Sequence, residues 1–264
     1  MDKETSSQPS LKPHMFSALV VLAAVAVTIN WLLMTPGDCT VKGMAIGASV
    51  CHQIPSHSFH LDEMQFPICA RCSGLYLGSL VGIGYYLTQG RRAAPPRRSF
   101  IALLLLLTIA WGGDGVNSLV SDFLKRPFLY STNNLTRLVT GFGMGLTLST
   151  ALVTLFNMTV WQNPEKKALL HNPWQLAAYT GLSGISGYVL LNGNTLIFKG
   201  LAAFSVLTVV LVISALYTIF WVIALRKENN FTRLKDLAFF FMAGFASAMA
   251  QITLLVWLRT ALLG

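Results

Sequence analysis

The sequence predicts an all-α, polytopic transmembrane bundle of about seven helices with a Cys/His-rich external loop. Three observations carry that expectation. Hydrophobic residues make up 54% of the 264 positions and charged residues only 11%, against about 25% charged in an ordinary soluble domain. The mean hydropathy is +0.59. Apolar runs near the ~20 residues needed to cross a bilayer recur along the whole chain. They leave no room for a soluble domain, so residues 1–264 read as a single transmembrane domain.

The first run, Met15–Met34, is read as a retained helix and not as a signal peptide. Asp2, Lys3, Glu4 and Lys12 leave the segment before it without net positive charge. Its apolar core exceeds a signal h-region, and no small-x-small cleavage site follows. Thr35-Pro36-Gly37-Asp38 then opens a loop to about Ala70, within which Met44–Val50 is mildly apolar and suits the membrane interface. The second run, Cys72–Thr88, carries Gly74, Gly78 and Gly82 at four-residue spacing. The third, Phe100–Val120, has Gly112, Gly113 and Gly115, and the fourth, Leu135–Phe156, has Gly141 and Gly145. Small residues let helix backbones approach closely in lipid, so helices two to four are expected to pack as one unit. The fifth run, Trp174–Leu191, is diluted by glycines and polar residues. The sixth, Gly200–Leu225, and the seventh, Leu237–Leu258, are almost purely apolar. Residues 157–264 therefore read as scaffold, lipid-facing packing or a homo-oligomer surface, and residues 15–156 as the part that carries chemistry.

Basic residues gather in alternate loops: Arg91, Arg92, Arg97 and Arg98; then Lys166 and Lys167; then Arg226, Lys227, Arg233 and Lys235. The positive-inside rule puts these loops and the N-terminus in the cytoplasm, and the cysteine loop on the external or periplasmic side. The formal charge of +9 is then a topology signal, with the bilayer as partner and no nucleic acid implied.

Three of the four cysteines and three of the five histidines fall between Cys51 and Cys72. Cys69-x-x-Cys72 is a spacing at which two thiolates grip one tetrahedral ion. Cys51 offers a third ligand, and His52, His57 or His60 a fourth. Asp114 is the sole carboxylate well inside a predicted span, and such a group is costly in hydrocarbon unless it faces a partner or water. Helix order brings Arg71, Asp114, Asn134 and Arg137 to one level beneath the cysteine loop. The two arginines suit an anion such as a lipid headgroup, with Asp114 as base or counter-ion.

The strings CHQ at Cys51-His52-Gln53 and CARCSGLYLG from Cys69, with Ser58-Phe59 between them, resemble the signature of a family of prokaryotic membrane proteins, the domain of unknown function 2085 family. The resemblance runs from about Val50 to Gly145 and takes in Asp114-Gly115 and Asn134…Arg137…Gly141. It implies that Cys51, His52, Gln53, Cys69, Arg71, Cys72 and Gly74 share one site in a prokaryotic inner membrane. It lends no activity, and Cys39 falls outside the pattern.

Three readings of the cluster stand side by side. One is a metal centre, zinc or another divalent ion, in a possible enzyme acting on a lipid or small anion, with Arg71, Asp114 and Arg137 as catalytic candidates and Gln53, Asn134 and both arginines binding substrate. Another is a thiol–disulfide oxidoreductase working through Cys69–Cys72, linked to quinone, with Cys39 and Cys51 as a second pair. The last is a non-catalytic bundle, structural or transport-related, whose loop is pinned by disulfides. No Gly-rich phosphate loop, Ser-His-Asp order or HExxH motif is present.

Overall fold

All seven expected helices form, as the computed structural model, which describes residues 12–263, shows. They are α1 (Lys12–Met34), α3 (Ala70–Leu87), α4 (Arg98–Leu124), α5 (Asn134–Val160), α6 (Pro173–Asn192), α7 (Thr195–Ala224) and α8 (Ala238–Leu263), and a short α2 (Cys39–Ala48) is added to them. Among the described residues four of them, α4, α5, α7 and α8, are long and apolar enough to cross a membrane unaided, and α1 with α2 meets that measure only as a pair bent by 109°. α3 and α6 fall short of that measure. Glycine, serine and tyrosine lower their apolarity, and the 18 residues of α3 rise only about 27 Å at 1.5 Å per residue.

The bend between α1 and α2 has a local cause. Pro36 cannot continue the α1 hydrogen-bond ladder, Gly37 turns the chain at φ +121°, and the Asp38 side chain accepts from Val41 N at 3.0 Å to start α2. Beyond α2 the loop forms an antiparallel hairpin, β1 (Ser58–Leu61) with β2 (Met64–Cys69), turned at Asp62-Glu63. β2 runs directly into α3, with Cys69 as the N-cap residue. On the opposite face the three basic loops meet. β3 (Arg92–Ala94) pairs in parallel with β4 (Glu165–Ala168), Gln162 N donates to Phe231 O, and the Arg91 guanidinium lies 3.7 Å over the Trp161 ring. The bundle thus separates a basic face from a cysteine face, as the alternate-loop pattern predicted.

The most extensive helix contact joins α3 to α5, and glycines permit it. A Cβ built on Gly141 would stand 2.9 Å from Gly74 Cα and Leu75 N, and one on Gly145 would stand 2.7 Å from Leu75 O. The third glycine group behaves otherwise. Cβ atoms at Gly112 and Gly113 would meet nothing within 4 Å, so α4 packs on α5 without using them and turns Leu105, Leu106 and Ile109 outward. Lipid is the natural solvent for that face.

These two classes of glycine predict opposite outcomes. Gly141→Ala, overpacking a backbone-to-backbone contact, should destabilise the bundle by about 1–3 kcal/mol. Gly112→Ala should be neutral or stabilising, by up to about 1 kcal/mol, because alanine holds helix better than glycine. Thermal unfolding of both variants in one detergent checks the pair; equal effects would rule out the packing argument.

Candidate metal centre

Cys51 sits just after α2, where the chain must reverse to enter the hairpin. The reversal is held by Gln53, at a left-handed φ of +56°, a region non-glycine residues adopt only when their surroundings fix them. Its Nε2 donates to Met44 O and Pro67 O, both at 2.7 Å, and its carbonyl accepts from Gln65 Nε2 at 2.9 Å. From the other side Arg259 of α8 donates to the carbonyls of Ala48, Cys51 and His52 at 3.1, 2.7 and 2.9 Å. An irregular loop leaves main-chain carbonyls without ladder partners, and these side chains supply the donors.

So held, Cys51 meets Cys69 and Cys72 at the start of α3. The three sulfurs all lie within 4.8 Å of one another, and all are free thiols. Cys51 Sγ also accepts from Cys69 N at 3.1 Å. Hydrogen bonds from the Cys51 and then the Cys72 thiol hold Cys69 far below the usual thiol range, against the opposing effect of burial. The positive end of α3 acts in the same sense. The Cys51 thiol is pushed up, chiefly by the same bond to Cys69. Of the two, Cys69 is therefore the more readily ionised.

The predicted level of polar residues beneath the loop is assembled. Arg71, between Cys69 and Cys72, donates to Asp114 Oδ2 from Nε at 2.9 Å and from Nη2 at 2.6 Å, and to Asp114 O at 3.0 Å. Tyr130 OH donates to Asp114 Oδ1 at 2.7 Å. The Asp114 carboxylate is buried with both oxygens engaged. Asn134 donates to Ser58 O in the loop at 3.1 Å and accepts from Arg137 Nη1 at 2.9 Å. Arg137, 5% exposed, also donates to Ser118 Oγ and Thr132 Oγ1. Its Nε is buried without a hydrogen-bond partner, and among the described residues no carboxylate stands within ion-pair distance of it.

The histidines do not join the sulfurs. Among the described residues the cluster comprises the three cysteines alone. His57 turns toward α4, with Nε2 at 3.4 Å from Asp122 Oδ2, and burial, with the Arg137 charge, lowers its pKa. His52 and His60 are exposed, and Cys39 heads α2 as an exposed thiol. Gln53 ties the loop together, and Asn134 bridges the loop to Arg137. Sequence reasoning missed Gln65, Asp122, Tyr130 and Arg259. Arg259 lies one residue past the expected end of the last helix, where a snorkelling cation is the ordinary reading.

A family described as "Predicted membrane protein (DUF2085)" matches residues 51–151. That segment opens on Cys51 and closes within α5, so it contains all three clustered cysteines together with Arg71, Asp114 and Arg137. An uncharacterised protein of Methanocaldococcus jannaschii is 30% identical over 114 residues, covering 42% of this chain and 67% of the other. An uncharacterised protein of Methanothermobacter thermautotrophicus is 30% identical over 100 residues, covering 38% of this chain and 81% of the other. No solved structure matches the chain.

Removing one partner of the ion pair leaves a desolvated charge. Asp114→Leu should therefore cost about 3–5 kcal/mol, whereas replacing both partners by apolar residues, Arg71→Met with Asp114→Leu, should cost much less than the sum of the two single changes. A double-mutant cycle by thermal or denaturant unfolding in detergent reads this; additive effects would mean that the pair does not join the helices.

Proposed function

The chain belongs to the DUF2085 family of predicted membrane proteins, and from that membership and the sulfur geometry we propose that it is a membrane protein holding one zinc ion on Cys51, Cys69 and Cys72. The observation that carries the reading is the convergence of three free thiols within 4.8 Å. Sulfurs sharing a tetrahedral zinc with bonds of about 2.3 Å lie about 3.8 Å apart. Closing the three sulfurs on an ion therefore asks only for side-chain adjustment. The site lies, in this reading, on the external face, because the basic loops lie opposite and favour the cytoplasm.

Zinc held by these three residues would supply Lewis acidity toward an oxygen ligand. The chain's own residues do the rest. Arg137 meets anionic charge at the site, suiting a phosphate or carboxylate on a lipid headgroup or small molecule. Asp114 serves as the counter-ion that orients Arg71, since both its oxygens are already engaged. Gln53 and Arg259 set the position of the Cys51 backbone.

One observation favours a second reading. Cys69, the most readily ionised thiol of the three, lies within reach of two further free thiols, an arrangement that also suits a dithiol couple. In that reading Cys69 and Cys72 form a disulfide, giving two electrons and the Cys72 proton to a membrane quinone, which takes its second proton from the aqueous medium and becomes quinol.

Elemental analysis of the protein purified in mild detergent, with free thiols counted on the same sample, separates the two. Expected is about one equivalent of zinc per chain, lost in Cys51→Ser, Cys69→Ser and Cys72→Ser and retained in Cys39→Ser, with X-ray absorption giving three sulfurs at about 2.3 Å. Metal-free protein with a disulfide among Cys51, Cys69 and Cys72 would sink the zinc reading and turn attention to electron exchange.

A further inference from the structure

On the side of the hairpin that faces α2 and α7, a second feature stands apart from the cysteine cluster. α2 lies across the bundle at 109° to α1 and leaves a recess of about 340 Å³ between itself and the start of α7. Its walls are apolar, with Gly43, Met44 and Ile46 on one side and Phe198, Ala202 and Val206 on the other. That volume is of the size at which proteins enclose small ligands. Two cations from different elements, Lys42 of α2 and Lys199 of α7, line the same recess. Lys42 Nζ donates to Gly37 O at 2.5 Å. Among the described residues neither lysine has a carboxylate within ion-pair distance.

The recess does not end at the lysines. A second cavity of about 440 Å³ shares Thr40, Met44, Met64 and Lys199 with the first, and it reaches Asp62 and Glu63 at the exposed turn of the hairpin. Passing outward, a ligand would meet an apolar slot, then a pair of cations, then a pair of carboxylates. An acyl chain, a phosphate and an amine follow one another in that order in an amine-bearing phospholipid.

We propose that this groove binds one phospholipid from the leaflet on the cysteine face, with an acyl chain between α2 and α7, the phosphate between Lys42 and Lys199, and the headgroup amine at Asp62 and Glu63. Charge complementarity commits the site to that ligand. A neutral diacylglycerol would forgo contact with both lysines, Lys42 half-buried and Lys199 exposed near Asp38, and an anionic headgroup without an amine would face two carboxylates. The binding is independent of any metal on the cysteines, because no cysteine of the cluster lines either cavity.

Gly43 gives a clean test, since a Cβ there would meet nothing within 4 Å and leucine would extend into the recess. The full chain in nanodiscs is irradiated with phosphatidylethanolamine carrying a photoactivatable acyl chain, and labelled peptides are mapped by mass spectrometry. Expected is labelling on α2 and α7. It should be lost in Gly43→Leu and in Lys42→Glu with Lys199→Glu, and unchanged in Lys227→Glu on the basic face. A diacylglycerol probe with the same chain should not label these helices, and a phosphatidylglycerol probe should label them less. Labelling spread over the outward face of α4, labelling indifferent to Gly43→Leu, or equal labelling by diacylglycerol or phosphatidylglycerol would each overturn the proposal. Should the double charge reversal fail to fold, Gly43→Leu and the probe series still decide.

Discussion

A carboxylate placed inside a membrane span must find a partner, and the architecture of the cysteine face follows from the one Asp114 finds. Hydrocarbon cannot solvate an ion, so an unpaired one there would cost several kcal/mol. The partner is Arg71, from the first turn of α3, and the guanidinium grips both the Asp114 side chain and its main-chain carbonyl. Because Arg71 sits between Cys69 and Cys72, fixing it on α4 also fixes the two sulfurs. The Arg71 carbonyl in turn lies against Gly141 of α5. One residue therefore joins three helices and aims the thiols, and Tyr130 draws the loop after α4 onto the same carboxylate.

The loop above this pair is irregular chain at a membrane surface, and its carbonyls need donors. Gln53, Gln65, Asn134 and Arg259 provide them. Polar residues that suggest substrate contact from sequence alone thus do structural service. Arg137 differs, because no carboxylate among the described residues stands within ion-pair distance of it and its Nε is buried without a hydrogen-bond partner.

The helices were legible because apolar runs of membrane length are the strongest signal a chain carries, and the α3–α5 contact because glycines at four-residue spacing serve close packing. The Arg71–Asp114 level could be read because topology alone places helix ends at a common height. The α4 glycines misled, since the same residue type marks both a close contact and an open face, and only the neighbour distinguishes them. The bend at Pro36-Gly37 was visible as a break, whereas the short helix after it was not. For want of polar residues, α7 and α8 look like scaffold in the sequence. Phe198 nevertheless packs edge-on to Phe66 of β2, with ring centres 5.2 Å apart, and Arg259 reaches the Cys51 carbonyl. An apolar ring and a terminal arginine look the same in sequence whether they face lipid or a site.

Charge gives the zinc reading its internal consistency. Three thiols in mutual contact do not all ionise without a cation among them, and Cys69 loses its proton most readily. With Arg71 neutralised by Asp114, a single thiolate there would act on the charge of Arg137. A divalent ion bound to three thiolates would also carry a net charge of minus one, the remaining thiol protons leaving as it enters. A site with one thiolate and a loaded site would then present the same balance to Arg137. Loading would need no rearrangement of the buried ion pair, and an acidic medium would oppose it through the protons released.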